Sequence, residues 1–276
     1  MWWRRSNPSE VIGLIAGQGE FPLLFAQAAL SLKRDVIAFG VEGLTDRRLD
    51  RFVREAHYVE LGSLGRLVEL LQASRVREVV FAGGIPKKEI YNPGTRMDEA
   101  ARGLIGGAAN KGDDHLLRAF QIFLKAKCGV SVVDSRFFLK ETLAPKGVLT
   151  RRAPSEGEWR DLRFGWKVAK GIGKMDIGQT VAVKHGVALA VEGLEGTNET
   201  IRRGGELGQG GVVVVKVSKP NQDLRFDLPC VGEATLDALK GVSSRVLGVE
   251  AGKTIMLFKE RLIEKADREN MTIVGL

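Results

Sequence analysis

The stretch VVVVKVSKPNQDLRFDLPCVG, residues 212–232, is the part of the sequence around which the rest is organised. Four consecutive valines, Val212–Val215, predict a strand that is buried on both faces. Lys216 and Lys219 follow at the exit of this strand, and Pro220 then ends regular strand pairing. The pattern therefore predicts two cations directly after a buried strand.

The segment Gln222–Leu228 alternates polar and apolar residues. If the segment is extended, Asp223, Arg225 and Asp227 share one face, and the apolar residues between them share the other. Neighbours on one face of a strand are about 7 Å apart, so the two acids stand roughly 13 Å apart and share no metal ion unless the chain bends. We expect one of the two acids to pair with Arg225, which leaves the other for chemistry. The alternative is a solvated edge strand with a salt bridge.

Composition and charge limit the class of protein. The chain has 276 residues, of which 44% are hydrophobic and 28% charged, so it suits one large globular domain or two smaller ones. The net charge of +8 favours anionic partners such as nucleotides, phosphate groups, nucleic acid or an acidic membrane surface. Cys128 and Cys230 are far apart and predict no disulfide framework, so we expect a reducing cytoplasm. We find no signal peptide and no membrane-spanning run.

The first half of the chain alternates between strand-like and helical patterns. The predicted strands are Val11–Ala16, Val36–Val41, His57–Leu61, Val76–Gly83 and Val130–Asp134. The predicted helices are Pro22–Leu32, Thr45–Ala56 with Thr45 as N-cap, Leu64–Ser74, Met97–Ala108 and Asp114–Lys127. This alternation predicts a parallel, doubly wound sheet, and we expect an α/β, Rossmann-like N-terminal domain over residues 1–137.

The second half has a different pattern. Residues 138–155 lack periodicity and are predicted to be a linker. Residues 156–276 predict a mixed α+β C-terminal domain with a hairpin formed by Thr180–Val183 and Val187–Glu192. A short helix over Thr197–Arg203 is predicted to give way to a flexible glycine-rich loop over 204–211.

A glycine turn follows the first predicted strand. Gly17-x-Gly19 is typical of turns whose backbone N–H groups hold phosphate at a helix start. The dinucleotide fingerprint requires a third glycine where this chain has Pro22, whereas Glu42 ends the second strand, where a ribose-binding acid can lie. An NAD(P)-dependent oxidoreductase is therefore one hypothesis, and a tight turn without ligand is the alternative.

A second charged segment precedes an apolar helix. Lys111 and Gly112 are followed by Asp113 and Asp114, acids that suit a helix N-terminus or, alternatively, contact a metal ion or phosphate. The three histidines show no metal-ligand spacing, which argues against a histidine-rich two-metal phosphoesterase.

Six motifs in order carry a family resemblance. They are GLIAGQGEFP (13–22), FAGG (81–84), KGDDHLLR (111–118), DIGQTVAV (176–183), VEGLEGTNETIRR (191–203) and KPNQDLRFDLPCVG (219–232). Together they resemble the LpxI-type UDP-2,3-diacylglucosamine pyrophosphatases of the lipid A pathway. The resemblance runs from about Val11 to the C-terminus and departs at Asn198, where the family pattern has an aspartate.

The resemblance implies an activity, a set of ligands, a catalytic C-terminal domain and a substrate that lies in the cleft between the two domains. It implies magnesium-dependent, or other divalent-cation-dependent, hydrolysis of UDP-2,3-diacylglucosamine to UMP and 2,3-diacylglucosamine 1-phosphate, called lipid X. It also implies a cytoplasmic protein, peripheral on the inner-membrane surface, with no nucleic-acid partner; a homodimer stays open. A non-catalytic nucleotide- or phospholipid-binding protein is a further alternative.

Candidate site residues follow from the resemblance and from the charge pattern. The family's essential aspartate corresponds to Asp227, and we then expect Asp223 to be the acid that pairs with Arg225. We predict catalytic roles for Asp227, Asp223 and Arg225, and magnesium ligation by Asp227, Asp113 and Asp114. The predicted substrate-binding residues are Gly17, Gly19, Lys111, Asp176, Gln179, Thr197, Arg202, Lys216, Lys219 and Gln222. The positive charge that pyrophosphate cleavage needs can come from Lys216, Lys219, Arg202, Arg203 and Arg225.

Overall fold

The computed structural model describes residues 11–90, 92–108, 112–220, 223–225 and 228–276, with the side chains of 87, 88, 108 and 112–114 excepted. The described residues form two compact units. The first unit comprises the described residues up to Lys140 together with 223–225, and the second comprises 141–220 and 228–276.

The first unit is built on a parallel sheet. Its strands are β1 (Ile12–Ala16), β2 (Val36–Val41), β3 (Glu55–Val59), β4 (Glu78–Ala82) and β5 (Ser131–Val132). Its helices are α1 (Phe21–Ser31), α2 (Leu64–Ala73), α3 (Lys87–Ile90), α4 (Glu99–Ala108) and α5 (Gly112–Cys128), with short 3-10 turns at Arg47–Arg51 and Ser135–Phe137. The strand order is β3-β2-β1-β4-β5, and every ladder is parallel. The predicted parallel α/β character of this half is confirmed, and the order is one that doubly wound sheets adopt.

Apolar spacing in the sequence explains the core of the first unit. Leu67 and Leu71, one helical turn apart, pack from α2 against Val79 and Phe81 of β4. Each such buried side chain stabilises the fold by about 1.5–3 kcal/mol. Pro22 lies in the first turn of α1, where its missing N–H costs no hydrogen bond.

The helix predicted over Thr45–Ala56 is wrong. Only a 3-10 turn over Arg47–Arg51 forms, with Asp46 as its cap, and the third strand begins at Glu55. The hydroxyl of Thr45 accepts a hydrogen bond from the backbone of Val41 and donates one to the carbonyl of Ala16. Thr45 therefore ties two strand ends together instead of capping a helix.

The second unit contains the remaining elements. Its strands are β6 (Gly147–Val148), β7 (Thr180–Lys184), β8 (Val187–Val191), β9 (Val213–Lys216), β10 (Cys230–Val231), β11 (Val246–Val249), β12 (Ile255–Met256) and β13 (Thr272–Gly275). Its helices are α6 (Glu156–Lys174), α7 (Thr197–Gly208), α8 (Glu233–Gly241) and α9 (Lys259–Arg268), with a 3-10 turn at Lys140–Thr142 on the boundary.

A mixed sheet organises the second unit, in the order β6-β13-β11-β9-β7-β8. The three central strands β13, β11 and β9 are parallel, because α8 and α9 lie in the connections that return the chain to the same edge. The predicted hairpin is confirmed as β7 and β8, which pair antiparallel. A separate parallel ladder joins β10 to β12.

Most of the segment predicted as a linker belongs to the second unit. Gly147 and Val148 form β6, which pairs antiparallel with the end of β13. Ala144 exchanges backbone hydrogen bonds with Thr254 and Gly252. The segment lacks periodicity because it is an edge strand and its approach, which are too short to show a period.

The flexible loop predicted over 204–211 is also wrong in its first half, because α7 continues to Gly208. The glycines allow close packing of the helix. A Cβ atom on Gly204 would overlap the side chain of Ala182 in β7, and one on Gly205 would overlap Val242. Within the described part of the chain, no helix is both long enough and apolar enough to cross a membrane.

Candidate functional site

Lys216 lies at the carboxyl end of β9, as the valine run predicts. The residue is only 8% exposed, and its ammonium group donates to the hydroxyl of Thr197 and to the carbonyl of Cys230, both at 2.9 Å. Among the described residues, no carboxylate lies within ion-pair distance of this ammonium group. The site therefore contains a buried positive charge with one donor left over.

Thr197 connects this lysine to an acid that the sequence analysis did not identify. Thr197 opens α7 directly after Gly196, whose φ of +83° favours glycine. Its hydroxyl donates to Glu192 at 3.0 Å, and the other oxygen of Glu192 accepts from the backbone N–H of Gln179 at 3.1 Å. Three predicted residues, Gln179, Thr197 and Lys216, thus share one network. In the sequence Glu192 ends the predicted hairpin shortly before the Glu-Gly-Thr motif, and this position does not by itself indicate a bond to Thr197.

Gln179 presents a further unsatisfied group. Its side-chain oxygen is buried and has no hydrogen-bond donor among the described residues. Buried polar atoms nearly always have a partner, so an acceptor of this kind is a marker for water or ligand binding. It lies beside the network, because the backbone carbonyl of Gln179 accepts from Val217 directly after β9.

Asp176 and Lys219 form a second part of the same end of the unit. The ammonium group of Lys219 lies 2.5 Å from a carboxylate oxygen of Asp176, and Lys219 is 7% exposed. Asp176 has φ = +56°, a left-handed conformation that costs most residues energy but that aspartate tolerates. A Cβ atom on Gly173 would contact the backbone of Lys219, so the end of α6 packs directly onto this lysine.

A third buried network borders the strand end. Lys170 of α6 lies 2.5 Å from Glu250, which also accepts from the backbone and hydroxyl of Ser218, both at 2.8 Å. Burial raises the pKa of Glu250, but hydrogen bonds from Lys170, Lys253 and Ser218 outweigh it and hold the pKa below its usual value. Sequence analysis missed this network because its members are far apart in the chain: Ser218 is 48 positions and Glu250 is 80 positions from Lys170.

Asp223 and Arg225 pair as predicted, but in a turn. The guanidinium group of Arg225 binds both oxygens of Asp223, at 2.9 and 2.6 Å, and the backbone N–H of Arg225 donates to the same acid. The extended strand predicted here is therefore wrong for 223–225, because a short carboxylate folds back on its own backbone. The hydrogen bonds from Arg225 hold the pKa of Asp223 below its usual value.

The same arrangement occurs a second time in the first unit. Asp134 accepts from the backbone and guanidinium group of Arg136, two residues on, in the same bidentate manner. Each acid also acts on the arginine of the other pair. The pKa of Arg136 is raised mainly by Asp134 and further by Asp223, and the pKa of Arg225 is raised mainly by Asp223 and further by Asp134. Residues 223–225 thus join the first unit although the residues on either side of this segment belong to the second.

Gly17 and Gly19 lie at the carboxyl end of β1 in the first unit. A Cβ atom on Gly17 would be 2.6 Å from the carbonyl oxygen of Gly84, so this glycine is required by the approach of the loop that follows β4. Gly19 has φ = +89° and open space around it. A cavity of about 350 Å³ begins here. Its lining is almost entirely apolar and includes Ile15, Phe81, Ala101, Leu104, Ile105 and Phe120.

Other predicted residues are less informative. Lys111, Gln222 and Asp227 lie outside the described residues. Asp113 and Asp114 lie in the first turn of α5, but their side chains are not described. Arg202 lies on the exposed face of α7, where it pairs with Glu199 and Glu206, and its substrate contact stays a prediction.

Metal ligation is not tested by the described side chains. Within the described ranges, no group of three or more histidine, cysteine or acidic side chains could hold a metal ion. Magnesium usually binds one or two carboxylates and keeps several waters, so it does not need a group of three. Magnesium ligation by Asp227, Asp113 and Asp114 stays a prediction.

The fold and the network define a class: a two-unit α/β protein with buried lysines at the end of a parallel strand, which is suited to an anionic ligand. The chain belongs to the LpxI family. The LpxI N-terminal domain matches residues 11–142, and the LpxI C-terminal domain matches residues 145–274. The family predicted from the six motifs is confirmed.

One relative that matches almost the whole chain agrees with this assignment, and two further matches are weaker or partial. The protein is 31% identical to the UDP-2,3-diacylglucosamine pyrophosphatase LpxI of Caulobacter vibrioides, over 96% of this chain and 97% of that protein. It is 35% identical to the bifunctional purine biosynthesis protein PurH of Deinococcus radiodurans, over 35% of this chain and 21% of that protein. A nucleoside-diphosphate-sugar epimerase structure from Pseudomonas aeruginosa matches with 10% identity and a TM-score of 0.29, over 97% of this chain and 88% of that one. That structural likeness is too weak to carry an argument.

Proposed function

We propose that this protein hydrolyses the pyrophosphate bond of UDP-2,3-diacylglucosamine to give UMP and 2,3-diacylglucosamine 1-phosphate, a step of lipid A biosynthesis. Two findings support this reaction: the chain belongs to the LpxI family, and it is similar over nearly its full length to the UDP-2,3-diacylglucosamine pyrophosphatase of Caulobacter vibrioides. The structural observation that carries the proposal is the buried ammonium group of Lys216.

An uncompensated buried cation favours an anionic ligand. Burying a charge without a partner costs several kcal/mol, and a phosphate oxygen that binds Lys216 offsets this cost. Thr197 opens the 12-residue helix α7, whose N-terminus adds partial positive charge next to the lysine. The third donor of the ammonium group is available, because only Thr197 and the Cys230 carbonyl accept from it among the described residues.

The cavity of the first unit suits an acyl chain. Its volume of about 350 Å³ lies within the range of small-molecule sites, and nearly all of its lining side chains are aliphatic or aromatic. A nicotinamide dinucleotide needs polar partners for its ribose and phosphate groups. Gly17 is explained by its contact with Gly84, and Glu42 pairs with Arg47 at the surface, so neither residue favours the oxidoreductase hypothesis.

Catalysis in this proposal uses the lysines and one acid. Lys216 holds the pyrophosphate and neutralises charge that develops on its oxygens, and Lys219 adds positive charge nearby. Asp223 is engaged by Arg225 and keeps a lowered pKa, so it is a poor proton acceptor. We therefore assign the positioning of the attacking water, with general-base assistance, to Asp227.

A divalent cation is part of the proposal. Asp227, with Asp113 or Asp114, would hold magnesium, which would neutralise further phosphate charge when bound. We also propose a cytoplasmic protein that associates peripherally with the inner membrane. A homodimer and a substrate position between the units stay predictions.

The decisive experiment measures UMP release from UDP-2,3-diacylglucosamine, dispersed in neutral detergent micelles, with and without magnesium. We expect turnover that chelation abolishes and magnesium restores. Substrate binding without turnover in any divalent cation would instead support a non-catalytic binding protein. Thermal stabilisation by NAD(P) in the absence of turnover would support the oxidoreductase.

A further inference from the structure

One face of α6 carries a row of cations. The opposite face of this helix packs Leu162 and Ala169 against the strands β7 and β9. The exposed face presents four basic residues, here called the basic stripe: Arg160, Arg163, Lys167 and Lys174. At 100° per residue they fall within an arc of about 60°, and they extend over about 21 Å of helix.

The charge of the basic stripe is not neutralised within the second unit. Among the described residues, no carboxylate lies within ion-pair distance of any of its four members. The one acid in the sequence between Arg160 and Lys174 is Asp161, which is buried and accepts from the turn amides of His185 and Gly186. The stripe therefore presents a positive field to solvent along its whole length.

Large apolar side chains are exposed where the basic stripe ends. Met175, Ile177 and Leu194 are 65%, 45% and 74% exposed, and we call them the apolar tip. The two loops that carry them are in contact, because the backbone N–H of Gln179 donates to Glu192 and a Cβ atom on Gly178 would lie 2.9 Å from the Glu192 side chain. The loops that carry the members of the tip therefore lie side by side.

Basic residues beside exposed apolar residues match the chemistry of an anionic bilayer. Lysine and arginine at a membrane surface are attracted to anionic headgroups, and apolar side chains insert at the boundary of the acyl chains. A nucleic acid would satisfy the basic stripe but would leave Met175, Ile177 and Leu194 in water. Charge complementarity and the apolar tip together therefore favour a lipid surface.

We propose that the basic stripe and the apolar tip form the membrane-docking surface of this protein, with an anionic phospholipid bilayer as its partner. The proposal rests on the proposed function, since it names the surface by which an enzyme of a lipid substrate reaches its membrane. Asp176, which pairs with Lys219, lies between Met175 and Ile177 in the sequence. Docking through the tip therefore brings the lysine end of the second unit next to the headgroup layer.

The test is co-sedimentation with phosphatidylglycerol-containing vesicles and with neutral phosphatidylcholine vesicles at two salt concentrations. We expect the wild type to bind the anionic vesicles, more strongly at low salt. Arg163→Glu with Lys167→Glu is expected to weaken partitioning by roughly tenfold or more, since each basic residue contributes about fivefold to binding at an anionic surface. Met175→Ser with Ile177→Ser is expected to remove the binding that remains at high salt.

A matched control carries the same charge change elsewhere. Arg77 and Arg245 are exposed and lie outside the stripe, and Arg77→Glu with Arg245→Glu is expected to leave vesicle binding close to that of the wild type. Equal losses in the control and the stripe variant would show that binding follows net charge and would overturn the proposal. Retention of the wild type on duplex DNA, without vesicle binding, would overturn it in favour of a nucleic-acid surface.

Turnover measured in neutral detergent micelles shows whether the docking surface or the proposed enzymatic function has failed, because it does not require an anionic bilayer. The stripe variant is expected to keep its micellar turnover while it loses vesicle binding. If the wild type turns over substrate but does not bind anionic vesicles, the docking surface alone is refuted. Vesicle binding through the stripe by a protein that never releases UMP would refute the enzymatic function alone.

Discussion

The two units differ in whether their charged side chains are buried. In the second unit, five charged residues are buried around the ends of the sheet or under its turns, namely Asp161, Glu192, Lys216, Lys219 and Glu250. In the first unit, no charged residue is buried among those that the structure describes, and the ends of β1 and β4 border an apolar cavity instead. Both units use parallel strands, so the contrast comes from the side chains at the strand ends and not from the type of sheet.

The contrast separates two kinds of chemistry. Buried charges are costly unless they are paired or meet a ligand, and among these five Lys216 has no carboxylate partner among the described residues, which supports the proposal that phosphate binds in the second unit. An apolar cavity at strand ends, where open α/β sheets bind their ligands, indicates that the first unit receives a hydrophobic group. Each of the following predictions tests one side of this division.

The largest expected effect is that of Asp227→Ala. We expect normal folding and substrate binding, with turnover reduced by roughly 10²–10⁴, the usual contribution of one positioned acid–base group. Steady-state kinetics measures the turnover, and a melting curve measures whether the variant folds. Asp223→Ala is the comparison and should lose less, because its carboxylate already pairs with Arg225. The reverse ranking would transfer the catalytic role to Asp223.

Lys216→Met tests whether the buried charge serves a ligand. We expect kcat/KM to fall by about 10²-fold, since a preorganised donor to a phosphate oxygen is lost. Stability should be unchanged or higher, because replacing a buried charge by an apolar side chain is often stabilising. Lys184→Met is the control: this lysine binds the carbonyl groups of Gly208 and Gly210, and its loss should leave kcat/KM unaffected. A folded Lys216→Met variant with full activity would contradict the phosphate assignment.

Leu104→Trp tests the apolar side of the comparison by filling the cavity of the first unit. We expect KM for a long-chain substrate to rise about tenfold, within the range that one change of size in a hydrophobic pocket produces, while a short-chain analogue is affected less. Leu30→Trp, at an exposed position of α1, serves as the control. Equal effects on both chain lengths would place the acyl chains elsewhere.

Gly205→Ala concerns the packing that supports the lysine network through α7. The added Cβ overlaps Val242, so we expect a loss of about 1–3 kcal/mol in the free energy of unfolding. Gly171→Ala, in a helix of the same unit with open space around it, should instead gain about 0.5–1 kcal/mol. Chemical denaturation of both variants checks the sign as well as the size.

The smallest effect is a pH dependence of stability. The pKa of Glu250 and that of Asp223 are lower in the folded protein than the usual values. Their contribution to stability is therefore fully present above the unfolded pKa of about 4, and it is lost as pH falls through the folded pKa. We expect the free energy of unfolding to decrease below about pH 4, and less steeply in Glu250→Gln. An identical slope in that variant would show that Glu250 contributes nothing.

Local patterns gave most of the elements, and errors arose where a distant contact overrode them. The helix expected at Thr45 is absent because Thr45 binds the carbonyl of Ala16, 29 residues away. The helix α7 continues through Gly204 because that glycine faces Ala182, a contact that no local rule indicates. Site prediction shows the same limit, since Lys216 was found from its strand whereas Glu192 became visible only through its bonds to Thr197 and Gln179.

The sequence by itself determined the alternation of strands and helices, the two lysines after a buried strand, the Asp223–Arg225 pair and the family. All of these depend on residues that are neighbours along the chain, or on motifs read in order. Only the tertiary structure decided that Glu192, Thr197 and Lys216 share a network, that 223–225 join the first unit, and that the basic stripe ends at an apolar tip. These features depend on strand order and packing, which bring together residues far apart in sequence and which no local periodicity encodes.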